Sequence, residues 1–106
     1  MENRHGNRYE IEQPIACMFF TTNSYSDMFY GKMKNYCDLG MYVELQTCFK
    51  DGTILIVRST GSSPECLSGK SVEGFRSISL VEVKWTKPLS DNGNIFYGTG
   101  LKYLII

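Results

Sequence analysis

The chain has 106 residues, 42% of them hydrophobic and 21% charged, and its 11 basic and 11 acidic residues cancel to a formal net charge of +0. That length fits one domain around one core, and the composition is far from the polar, highly charged balance of disordered chains. Zero net charge excludes a global field able to hold a nucleic-acid polymer or an anionic membrane surface, so an anionic ligand has to be met locally.

The opening stretch, Met1 to Glu10, is polar and holds Arg4 and Arg8. It lacks the apolar centre of a signal peptide, so residues 1–10 are expected to be a flexible arginine-bearing tail on a cytoplasmic protein with reduced thiols. Aromatic residues and glycines spread among short apolar runs predict strands, not helices. The first strand is expected over Ile11 to Thr21, where Ile15, Cys17 and Phe19 alternate with Ala16, Met18 and Phe20. A turn at Asn23 to Asp27 leads to a second strand, Met28 to Tyr36, with Phe29, Gly31, Met33 and Asn35 on one face.

After Asp38-Leu39-Gly40 a third strand is expected over Met41 to Leu45, and the turn Lys50-Asp51-Gly52 joins it to a fourth, Thr53 to Arg58. Ser59 to Lys70 has the composition of a loop. Two long strands complete the series: Arg76 to Lys87, with Ile78, Leu80, Val83 and Trp85 expected inward, and Ile95 to Leu104. The turn Ser90-Asp91-Asn92-Gly93 joins them, and Asn92-Gly93 is the sharpest turn signal in the chain. Six strands in series predict a closed all-β barrel, which leaves no exposed edge. No apolar run approaches the roughly 20 residues that cross a bilayer, so no membrane insertion is expected.

Cys17, Cys37, Cys48 and Cys66 form no C-x-x-C pair and His5 is the only histidine, so a metal site is not expected. A cysteine enzyme built on Cys37, Asp38 and His5 has no base placed by a recognised spacing, and the chain reads as non-catalytic.

Two features exceed what a plain barrel needs. Arg4 and Arg8, separated by His5-Gly6-Asn7, could close on a small ligand from two sides. A guanidinium grips phosphate bidentately, bonds the O6 and N7 edge of guanine, and stacks on a base. The plain alternative is a solvated tail. In Asn35-Tyr36-Cys37-Asp38-Leu39-Gly40, Asn35 and Cys37 share a face if extended, and Gly40 admits close approach by a backbone or a ligand. An asparagine amide can read a base edge or bond the local backbone, and Cys37 by itself reads as a small buried hydrophobe.

Together these two segments resemble the signature of the PilZ family, an R-x-x-x-R tail followed by [DN]-x-S-x-x-G. Arg4 to Arg8 carries the first part; Asn35 to Gly40 carries the second, with Cys37 in place of serine. Val81 to Trp85 and Tyr97 to Tyr103 are similar to the family's late strands. The resemblance implies a six-stranded antiparallel barrel that binds the bacterial second messenger cyclic di-GMP on its outer surface, with no other cofactor. Many relatives continue into a C-terminal helix, which is not expected here because the sequence stops after the last strand.

By carry-over, Arg4 and Arg8 would contact guanine and phosphate, Asn35 would bond a guanine edge, Cys37 would stand at the serine position, and Gly40 would keep the surface open. Asn3 lacks the basic side chain that many members have there. Binding would order the tail and signal to a protein partner or a second copy. Trp85 reads as core more readily than as a stacking residue, and Lys84 and Arg76 read as solvated surface.

Overall fold

The computed structural model describes residues 8–20, 28–61 and 74–104. Arg4, His5, Cys66 and the expected turn at Asn23 to Asp27 lie outside the described residues, as does most of the expected loop. The described residues hold no helix and six strands: β1 (Tyr9–Phe19), β2 (Phe29–Tyr36), β3 (Gly40–Leu45), β4 (Ile54–Ser59), β5 (Ile78–Asp91) and β6 (Asn94–Tyr103). β1 begins at Tyr9, so Tyr9 and Glu10 of the expected tail belong to the sheet.

All pairings are antiparallel, and they run β1-β2-β3-β6-β5-β4 with β4 returning to β1. Each strand is therefore bonded on both sides, and the sheet closes without an edge. The period of two along each strand sends one set of side chains inward. Ile11, Ile15 and Cys17 of β1 meet Met33 of β2, Met41, Val43 and Leu45 of β3, Leu55 and Val57 of β4, and Val81 and Val83 of β5. Aromatic residues close both ends of this core. Phe19, Phe29 and Phe49 meet edge to face with centroids 5.1–5.5 Å apart. At the other end Tyr36 stacks on Tyr9 at 5.1 Å and meets the edge of Phe75 at 5.8 Å.

Gln13 is buried among these apolar residues and is satisfied there: its Nε2 donates to Ser59 Oγ at 2.6 Å and to the Thr60 carbonyl at 3.2 Å. The β5–β6 hairpin turns at Asn92-Gly93, whose φ values of 52° and 84° are the left-handed pair of a type I′ turn.

The first half of β5 corrects the expected phase. Ser79, Val81 and Val83 are buried while Ile78 is 61% exposed, so the inward set is one residue out of step with the Ile78 and Leu80 reading. In Ile78-Ser79-Leu80-Val81 both phases carry apolar side chains, and only the partner strands decide which face turns in.

Three irregularities in register bend the otherwise regular sheet. They fall between Glu10 and Gln13, between Met33 and Asn35, and between Val83 and Trp85. A bulge inserts a residue and reverses the facing of everything beyond it. All three lie beside the groove described next.

Candidate functional site

The bulge at Lys34 follows inward-facing Met33 and lets Tyr36 face inward again. Asn35, which simple alternation would place with Met33 in the interior, therefore turns outward. The bulge at Lys84 acts in the same way on β5: Val83 is buried and pairs with Leu101, whereas Trp85 pairs with Gly100 and is 44% exposed. Trp85 is therefore not core, contrary to the sequence expectation.

Both reversals feed one transverse row across five strands. Glu10 pairs with Asn35, Asn35 with Tyr42, Tyr42 with Gly100, and Gly100 with Trp85. Residues directly opposite one another in a sheet project from the same face. From Asn35 to Trp85 this row forms part of a surface groove of about 440 Å³, lined by Arg8, Asn35, Cys37, Leu39, Gly40, Met41, Tyr42, Lys84, Trp85, Gly100, Leu101 and Lys102. The lining holds three cations and no carboxylate, a local positive field on a chain whose formal net charge is +0.

Carboxylates stand close to the groove: Glu10 pairs with Asn35 in the sheet, and exposed Asp38 lies in the turn between the lining residues Cys37 and Leu39. Glu12 is paired with Lys34 and lies 3.9 Å from Lys32, and Glu44 accepts from the Tyr42 hydroxyl at 3.5 Å. Glu82 stands 3.9 Å from Lys84 in a loose, exposed pair. Burial and the neighbouring Glu44 carboxylate both push the Tyr42 phenol above its ordinary value, so it stays a neutral donor at pH 7.

Of the residues singled out from the sequence, Arg8, Asn35, Cys37 and Gly40 line this groove together, and Arg4 lies outside the described residues. The Cys37 N–H donates to the Gly40 carbonyl at 2.9 Å, closing the tight turn through Asp38 and Leu39 between β2 and β3. Gly40 has a structural reason of its own. A Cβ there would stand 3.0 Å from the Leu101 carbonyl carbon and closer still to its oxygen, so the glycine admits the β6 backbone. Lys84 lines the groove. Arg76 does not, and its guanidinium lies 3.9 Å from the centre of the Tyr103 ring.

Sequence reasoning missed Tyr42 and Lys102 and placed Trp85 inside. A usable signal was present in Gly98-Thr99-Gly100, two glycines on one face of a strand, which mark where larger groups cross the sheet. The crossing groups are the Tyr42 ring over Gly98 and the Trp85 indole over Gly100. No protein-family model matches this chain, and no curated protein is significantly similar to it.

Proposed function

We propose that this chain is a PilZ-type barrel that binds cyclic di-GMP in the groove beside the β2–β3 turn and acts as a non-catalytic receptor. The observation that carries the reading is that Arg8, Asn35 and Cys37, together with Lys84 and Lys102, line one groove that has no carboxylate. The cations suit phosphate, the Asn35 amide offers a donor and an acceptor to a guanine edge, and Arg8 offers a planar fork to either. Ligand engaged by Arg8, together with Arg4 of the same sequence motif, would pass a conformational signal to a partner.

Calorimetry with cyclic di-GMP tests the reading. Saturable binding is expected, weakened about tenfold or more by Arg8→Ala and by Asn35→Ala, since each removes a charge-assisted or base-reading hydrogen bond. Absence of binding, or binding that neither substitution changes, would overturn it.

A second reading, an interaction module that needs no ligand, is favoured by the outward apolar side chains of Phe20, Ile56, Ile78 and Leu80, which line a separate depression across β4 and β5. It predicts partner binding that is indifferent to cyclic di-GMP.

A further inference from the structure

β4 and the start of β5 are apolar on both faces. Leu55, Val57 and Val81 fill the core, while Ile54, Ile56, Ile78 and Leu80 point outward, with Ile78 61% exposed. A strand that is apolar on both faces is characteristically one covered on both. Register sets the outward side chains in three rows. Met18, Ile56, Leu80 and Leu104 form the middle row, in which the Leu104 N–H donates to the Leu80 carbonyl at 3.0 Å. Phe20, Ile54 and Glu82 form the row on one side of it, and Arg58 and Ile78 the row on the other. Exposed Arg58 and half-buried Glu82 therefore stand diagonally across the Ile56–Leu80 pair, one row to either side of it.

We infer that this face binds a second copy of the chain. A two-fold axis lying in the face, through the Ile56–Leu80 pair and perpendicular to the line from Arg58 to Glu82, sets Arg58 of each copy against Glu82 of the other and closes the two apolar middle rows on each other. Opposite charges at matched distances from an apolar centre make the face complementary to itself, which is what an isologous contact requires. The closed sheet has no strand edge through which two copies could pair, so only a face is left to them. By strand and residue spacing the rows span roughly 14 Å each way, a small centre beside the roughly 800 Å² per partner of a standard interface, so the dimer is reversible and depends on concentration. The inference rests on the interaction-module reading for the face and adds its occupant; it holds whether or not the groove binds cyclic di-GMP.

Sedimentation equilibrium of the native chain, from micromolar to several hundred micromolar and with and without cyclic di-GMP, tests it. A monomer–dimer equilibrium is expected. Arg58→Glu and Glu82→Arg should each weaken association about tenfold or more, because each sets like charges face to face, and the double variant Arg58→Glu/Glu82→Arg should associate within about threefold of the native chain. Arg58 does not line the groove, so its reversal tests the face without altering the groove's lining. Thermal melts run beside each variant separate lost association from lost folding. A native chain that stays monomeric throughout would overturn the second-copy proposal and leave the interaction-module reading to a different partner. A dimer untouched by either reversal, or one that the double exchange does not restore, would overturn the proposed face. Dimerisation only in the presence of cyclic di-GMP would support the face and sink the module's indifference to ligand.

Discussion

Trp85 and Gly100 face each other across β5 and β6, and the indole occupies the space that a side chain on Gly100 would need. A Cβ at Gly100 would stand 2.8 Å from Cζ2 and closer to Nε1 and Cε2, so the glycine and the tryptophan are two halves of one fit. The pair fixes where the groove has its aromatic wall.

Gly100→Ala is accordingly expected to push the indole off the sheet. The cost of such overpacking is about 1–3 kcal/mol, read as a lower midpoint in urea unfolding, and the displaced indole should shift its emission to longer wavelength. An unchanged midpoint together with unchanged emission would contradict the close seat.

The described cysteines should alkylate in order of access. Cys48 is exposed, Cys37 is half-buried in the groove, and Cys17 is buried in the core, where desolvation pushes its thiol up to about 12. With iodoacetamide at neutral pH, peptide mass spectrometry should show Cys48 modified first, Cys37 more slowly and slower again with cyclic di-GMP present, and Cys17 only after unfolding. Modification of Cys17 as fast as that of Cys48 would contradict its place in the core.

Cys37→Ser should bind cyclic di-GMP at least as tightly as the native chain. A hydroxyl is a far better hydrogen-bond partner than a thiol, and a bond gained at this position would add roughly 0.5–1.5 kcal/mol. Calorimetry decides, and markedly weaker binding by the serine variant would count against the site.

The pair between Lys34 and Glu12 on the outer face gives a pH dependence of defined sign. Its hydrogen bond and charge hold the Glu12 carboxyl below the ordinary 4.5 and the Lys34 ammonium above the ordinary 10.5. The carboxylate's contribution is complete above 4.5 and is lost as pH falls through its lowered value; the ammonium's is complete below 10.5 and is lost as pH rises through its raised value. Glu12→Gln should therefore melt slightly below the native chain at neutral pH, with the difference closing in acid and in high salt. A difference that persists in acid would mean that the glutamine acts through something other than the pair.

How much of this was legible in the sequence differs from element to element. The strands from β2 to β6 lie within a few residues of their expected positions, because apolar alternation and turn chemistry are local properties. Asn92-Gly93 is the clearest case: two residues that tolerate positive φ specify the hairpin without help from any neighbour. The motif residues Arg8, Asn35, Cys37 and Gly40 could be singled out from residue type and spacing, and all four reach one groove.

What the sequence could not supply is facing. Asn35 and Trp85 both have inward parity with respect to Met33 and Val83, and each is turned outward by an extra residue in its strand. A bulge arises from the match between two strands, so no property of either strand alone announces it. The same holds for Ile78 and Leu80, where both phases are apolar and the pairing with β4 and β6 chose between them. Residue types and turns were thus determined along the chain, whereas the groove itself, with Tyr42, Lys102 and Trp85 beside the motif residues, was decided by register across the closed sheet, because only pairing brings β2, β3, β5 and β6 together.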